Sequence, residues 1–186
     1  MPNQTQARLS LFGGTLVLIT LGCGADPASQ EPFMPIAVGD PAPAVSLHLQ
    51  DGRTVPLTDF RGKRSVVLFF YPKDNTPVCT AEACSFRDAY SDISGLDAEV
   101  IGISSDSAGS HQKFAEKHNL PFPLASDPDG TLRRAFGVPR TLGLFPGRTT
   151  YVIDKSGVVR LVFSAALSAE KHVAEAKRTL ATLTKE

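Results

Sequence analysis

The chain of 186 residues has no tryptophan, only three cysteines and no excess of charge of either sign. Each shortage excludes something. Lys+Arg is 19 and Asp+Glu is 19, so the formal net charge is zero. A protein that coats nucleic acid carries a large basic excess, so nucleic acid is not an expected partner. The same balance excludes a long acidic solvating tail. Three cysteines are too few to staple a small disulfide scaffold. There is no tandem repeat and no phosphate-binding glycine loop. What remains is 42% hydrophobic and 20% charged, the balance of one globular domain with a short appendage.

The appendage is amino-terminal. Arg8 is the one formally charged side chain before Asp26, and residues 9–25, LSLFGGTLVLITLGCGA, hold none. A basic residue, an apolar run and then small residues is the layout of a secretory signal. With Gly13 and Gly14 inside it, the run is short for a membrane span. Its end, Leu21-Gly22-Cys23-Gly24, resembles a bacterial lipoprotein box, with Thr20 where that box prefers leucine. The expectation is a signal peptide over 1–22, lipidation of Cys23, a proline-rich tether over 23–38 and a domain over 39–186. That implies an exported lipoprotein of the bacterial cell envelope, in contact with the membrane only through its lipid. Lipidation would consume the odd cysteine and leave Cys79 and Cys84 as a pair.

The body alternates strand and helix signals. Ser65 to Tyr71 (SVVLFFY) and Ala98 to Ser104 (AEVIGIS) are continuous apolar runs that read as strands buried on both faces. Val45 to Leu49 alternates before an Asp51-Gly52 turn. Helices are expected over Val78–Ile93 and Ser107–Asn119, with a short strand at Leu124 and a short helix ending near Phe136. Thr149–Ile153 and Val158–Phe163 flank Asp154-Lys155-Ser156-Gly157, a hairpin signal. A last helix starts at Ser168 as cap, with Ala169, Val173, Ala176, Leu180 and Leu183 on one face. This order predicts an α/β fold: a mixed sheet flanked by helices on both faces.

One segment concentrates the chemistry: Tyr71-Pro72-Lys73-Asp74-Asn75-Thr76-Pro77-Val78-Cys79-Thr80-Ala81-Glu82-Ala83-Cys84. A buried strand, a proline-rich turn and a helix start place Cys79 in a first helical turn. There, unpaired N–H groups and the helix dipole favour a thiolate. A helix cap followed by a buried structural cysteine would carry the same pattern. Thr76 is close enough for its hydroxyl to face the same pocket. Glu82 shares the helix face of Cys79, as a buttress to a basic residue or as an exposed acid. Cys84 lies five residues on, and on an intact helix the two Cα atoms are roughly 8.6 Å apart. Disulfides need about 4.4–6.8 Å, so a bond between them would require the first turn to unwind. His111 and His118 are two turns apart, ~10.5 Å, too far to share one small ion. They and His172 are expected to be structural or solvated, and no metal site is expected.

YPKDNTPVCTAEACSFRD resembles the active-site segment of peroxiredoxins of the peroxiredoxin Q, or bacterioferritin comigratory protein, type within the AhpC/TSA family. Pro72, Thr76 and Cys79 match its P-x-x-x-T-x-x-C core, and Cys84 matches the resolving cysteine of the subtype. SHQKFAEKHNLPFPLASD, AFGV and GRTTYVIDKSGVV extend the resemblance from about Gly39 to the carboxyl terminus. Asn75 and Val78 depart from the acidic residue and the glycine frequent there. The resemblance implies a thioredoxin-like fold and a thiol-dependent peroxidase for hydrogen peroxide and organic hydroperoxides. It implies Cys79 as peroxidatic residue, a Cys79–Cys84 disulfide, and Arg148 as the distal arginine, with Thr76 and Pro72 shaping the pocket. It further implies reduction by a thioredoxin-like dithiol, no cofactor and a monomer. Two other classes are an envelope thiol–disulfide oxidoreductase, which would favour two residues between its cysteines, and a copper-holding thioredoxin-like module, which expects C-x-x-x-C and a distal histidine. Neither pattern occurs here.

Overall fold

The computed structural model describes residues 35–141 and 145–184. The leader, Cys23 and most of the expected tether lie outside the described residues. The described chain opens with β1 (Ser46–His48), β2 (Thr54–Pro56), a 3-10 turn (Leu57–Phe60) and β3 (Ser65–Phe70). It continues through α1 (Pro77–Asp88), α2 (Tyr90–Gly95), β4 (Ala98–Ser104), α3 (Ala108–His118), β5 (Leu124–Ser126) and α4 (Thr131–Ala135). It closes with β6 (Arg140–Thr141), β7 (Phe145–Pro146), β8 (Thr149–Ile153), β9 (Val159–Ser164) and α5 (Ala169–Leu183).

The two continuous apolar runs become the middle of a five-stranded sheet of order β5-β4-β3-β8-β9. β3 pairs parallel with β4 and antiparallel with β8, so the sheet is mixed. All six residues of β3 are buried, as expected of a strand covered on both sides. Its side chains alternate between two cores. Val66, Leu68 and Phe70 face Leu47, Leu57, Leu132 and Phe136, contributed by β1, the 3-10 turn and α4. Val67, Phe69 and Tyr71 face Ala83, Phe86, Ile93, Phe114, Val173 and Ala176, contributed by α1, α2, α3 and α5. Helices thus cover both faces, unevenly: four on one, the short α4 and the β1–β2 hairpin on the other. Ile36 already packs against the first core, so ordered packing begins ahead of Gly39.

Two local details differ from expectation. The helix expected over Val78–Ile93 divides at Ala89 (φ −93°, ψ −1°) into α1 and α2. Neither glycine nor proline marks that break, and the apolar period of Phe86, Ala89, Tyr90 and Ile93 runs through it. Ser168 stands at the start of α5 but its side chain makes no capping hydrogen bond. Ser107, by contrast, accepts from Ser110 N–H at 3.3 Å and caps α3. The hairpin between β8 and β9 forms as its turn residues dictate: Asp154 Oδ1 accepts from Ser156 N (2.8 Å) and Val158 N (2.9 Å). Among the described residues no helix is long and apolar enough to cross a membrane.

Candidate active site

β3 delivers the chain to the site. Tyr71 continues its edge, donating its N–H to Ile103 O at 3.0 Å. After the turn, Thr76 takes extended angles (φ −86°, ψ 149°) and Pro77 occupies the first helical position, where its missing donor costs nothing. The α1 ladder begins with Thr80 N–H on Thr76 O (2.9 Å). The N–H groups of Val78 and Cys79 therefore precede the first helical acceptor, at the positive end of the dipole. Cys79 is 2% exposed and unbonded to another sulfur.

The cation comes from the far side of the sheet centre, just before β8. Arg148, itself buried, donates from Nη2 to Cys79 Sγ at 3.2 Å. Its Nη1 is paired with Glu82 Oε2, and its Nε donates to Ala166 O at 3.3 Å. Glu82 is fully buried. Burial pushes its carboxyl up to about 7, against the pull of Arg148. His172 Nδ1 lies 3.6 Å from Glu82 Oε1 but is no counter-charge. Its Nε2 donates to Ala165 O (2.9 Å), Nδ1 meets the Thr150 hydroxyl (2.8 Å), and burial lowers its pKa. A neutral imidazole satisfies both contacts.

Arg148 depends on the backbone before it. A Cβ on Gly147 would strike the carbonyl oxygen of Pro139, so only glycine lets the two segments pass. Gly147 O accepts from Arg133 Nη1 at 2.9 Å, and Arg133 Nη2 is bonded to Tyr71 O. One guanidinium, lying over the Phe70 ring at 5.7 Å, thus ties the end of β3 to the approach of β8. Burial lowers the Arg133 pKa, and its charge faces Cys79.

The loop between β3 and α1 is anchored by Asp74. Its carboxylate accepts from the Tyr71 hydroxyl (2.7 Å) and the Ser110 hydroxyl (2.8 Å), and His111 Nδ1 lies at 3.0 Å. Its N–H donates to Asp106 Oδ2 at 2.8 Å. Burial alone would raise the Asp74 pKa, but its bonds with His111, Tyr71 and Ser110 outweigh that and hold it below the ordinary value.

Cys79, Arg148 and Glu82 therefore meet, and the open reading of Glu82 resolves in favour of a buried buttress. Thr76 is placed at the helix start, but its hydroxyl donates to Lys73 O at 3.1 Å and does not cap α1. Pro72 is half-buried directly after Tyr71. Cys84 is free, half-buried and on the same regular helix as Cys79. His111 and His172 are both fully buried in hydrogen-bonded networks. Arg133 and Asp74 were not singled out from sequence. One sits beside Arg134 in an ordinary TLRRAF helix, the other in a polar turn, and only the fold shows that both are inward. No cluster of three His, Cys, Asp or Glu side chains able to hold a metal occurs among the described residues.

Comparison with known proteins shows the family. The AhpC/TSA family model matches residues 38–162. Chloroplastic peroxiredoxin Q of Sedum lineare is 47% identical over 152 residues, covering 81% of this chain and 81% of that protein. Chloroplastic peroxiredoxin Q of Oryza sativa subsp. japonica is 48% identical over 149 residues, covering 80% and 68%. The crystal structure of peroxidoxin BcpB from Mycobacterium tuberculosis superposes with a TM-score of 0.73 at 38% identity, covering 80% of this chain and 98% of that one. These relatives also correct the expected location. Curated proteins at 46–48% identity are chloroplastic, a finding that overturns the expectation of an exported bacterial envelope lipoprotein.

Proposed function

The chain belongs to the AhpC/TSA family and is a thiol-dependent peroxidase of the peroxiredoxin Q kind; we propose that Cys79 is its peroxidatic residue and Cys84 its resolving residue. The observation that carries this is Arg148 Nη2 at 3.2 Å from a buried thiol in the first turn of α1. In the first step the Cys79 thiolate attacks one oxygen of R–O–O–H, the O–O bond breaks, and sulfur is oxidised to sulfenic acid. The departing RO⁻ takes a proton and leaves as ROH. Arg148 stabilises the thiolate and then the charge growing on the departing oxygen, with the unpaired N–H groups of α1 as further donors. Glu82 aims the guanidinium. Thr76 fixes the loop ahead of the helix, and Pro72 limits water at the sulfur. In the second step the sulfenic acid condenses with Cys84 to a disulfide and water. A thioredoxin-like dithiol reduces that bond by exchange. No cofactor enters. The domain acts as a monomer; among the described residues only Val38 and Leu167 are large exposed hydrophobics.

Peroxide consumption coupled to thioredoxin, thioredoxin reductase and NADPH tests the assignment. Cys79→Ser abolishes turnover. Arg148→Ala slows Cys79 oxidation about 10²-fold, the scale of losing one preorganised donor. Near-normal peroxide turnover by Cys79→Ser with Cys84 intact would overturn it.

A further inference from the structure

Cys84 is not isolated. Its Sγ lies 3.9 Å from His118 Nδ1, across the gap between α1 and the last turn of α3. The histidine is held from several sides. Its ring meets the Phe114 ring edge-on, with centroids 4.9 Å apart. Its carbonyl accepts from Arg87 Nη1 at 2.9 Å. Its Nε2 is shielded from solvent and has no partner among the described residues. The charged groups around the ring are Lys117 on α3 and Arg87 on α1, the latter paired with Asp88 at 2.8 Å. Burial, then Lys117, then Arg87 hold the imidazole below its ordinary pKa, so at neutral pH it is uncharged. In the tautomer with its proton on Nε2, the ring presents a lone pair to the Cys84 thiol. Arg87 lies three residues beyond Cys84 on the same helix.

We propose that His118 is the general base of the resolving step, an inference that rests on the reading of Cys84 as the resolving cysteine. The Cys84 S–H proton passes to His118 Nδ1. The thiolate pair attacks Sγ of the Cys79 sulfenic acid, forming the S–S bond while the S–O bond breaks. The departing hydroxide takes the proton from the imidazolium. The sum is one disulfide and one water, and the oxidising equivalents come from the peroxide already consumed. No group on the Cys79 side of α1 need supply this proton transfer, so the peroxidatic and resolving thiols have separate activators, Arg148 and His118.

The size of the effect is bounded by the thiol. A cysteine of ordinary pKa ~8.5 is about 3% thiolate at pH 7, so a dedicated base is worth up to about 30-fold there and nothing well above that pH. The test is rapid-quench mass spectrometry after one equivalent of hydrogen peroxide, with sulfenic acid trapping, from pH 6 to 9.5. In wild-type protein, conversion of sulfenic acid to disulfide is nearly level from pH 6.5 upward. In His118→Ala, Cys79 oxidises at the wild-type rate, but disulfide forms about 30-fold more slowly at pH 7 and converges on wild type by pH 9.5. His118→Gln, which keeps a polar side chain that cannot take a proton, behaves alike and covers the case in which alanine unfolds the helix end. Wild-type disulfide formation in the variants at pH 7 overturns the proposal. So does an equal deficit at pH 7 and 9.5, which marks a structural role, or a wild-type profile rising with a thiol pKa near 8.5. Absence of Cys79 sulfenic acid in wild-type protein instead overturns the assignment of Cys79.

Discussion

Arg148 stands between two acids, and the ionisation of each bears on the other. One is the Cys79 thiol at 3.2 Å and the other is the buried Glu82 carboxyl paired with Nη1. A buried ion pair is weak evidence for stability, because desolvation of both charges opposes their attraction. The Glu82 carboxyl shows which side prevails, since burial lifts it from 4.5 to about 7 despite Arg148. The consequence for pH has a definite sign. Between about pH 4.5 and 7 the folded state holds a proton on Glu82 that the unfolded chain has released, so stability falls as pH rises through that window. The loss from this one group is on the order of 3 kcal/mol and is complete above pH 7. Glu82→Gln removes this component of the slope. Urea unfolding of wild type and variant at pH 5, 6, 7 and 8 checks it, and parallel pH profiles for the two proteins would contradict the account. The buttress is thus an arrangement in which stability at neutral pH is traded for a cation fixed at the sulfur, consistent with perturbed groups clustering at reactive sites.

At the scale of the element, α1 is one regular helix from Pro77 to Asp88 that carries both cysteines. Five residues on a regular helix separate their Cα atoms by roughly 8.6 Å, beyond the ~4.4–6.8 Å that a disulfide spans. Formation of the proposed Cys79–Cys84 bond therefore requires the first turns to unwind. How far this spreads is set by packing: Phe86 is fully buried and stacked on Phe69 with ring centroids 4.6 Å apart. Amide hydrogen exchange on reduced and disulfide forms should show protection lost from about residue 78 to 84 and kept from Phe86 onward. Equal protection along the whole segment in both forms, with the bond verified by mass, would contradict it. This helix also shows what a sequence carries and what it withholds. Its start was legible because Thr76-Pro77 in a turn at a strand exit is a local signal. Its end was not, because the turn at Ala89 leaves the apolar period undisturbed. The same division holds at the site. Cys79, Cys84 and Arg148 lie in recognisable segments, whereas Asp74 and Arg133 act through partners 37 and 62 residues away. Such pairings exist only once β3, α3 and α4 are assembled, so no local window reports them.

In the whole molecule, β3 separates two cores, and Cys79 belongs to the one built with α1, α2, α3 and α5. On the proposed assignment of Cys79, oxidation therefore acts on the larger helical layer and not on a peripheral loop. In the reduced state α1 packs against α5, while Arg148 joins Glu82, Cys79 and the carbonyl of Ala166. Unwinding the first turns of α1 displaces Glu82 and Ala83, both fully buried, and leaves Arg148 without its two partners. Breaking a buried pair costs about 3–5 kcal/mol when the survivor stays charged and buried. Against this, a crosslink closing a loop of a few residues restricts the unfolded chain by only roughly 2 kcal/mol. The balance favours the reduced fold, opposite to the usual stabilising effect of a disulfide. The disulfide form should therefore melt below the reduced form, by about 5 °C for a domain of this size. Calorimetry of the protein held in dithiothreitol and after one equivalent of peroxide measures the difference. Cys84→Ser, which cannot form the bond, should not show that drop when treated alike. An oxidised wild-type protein that melts at or above the reduced one would mean that α1 accommodates the bond without losing the Arg148 pair, and that the helical layer is not the element that redox state controls.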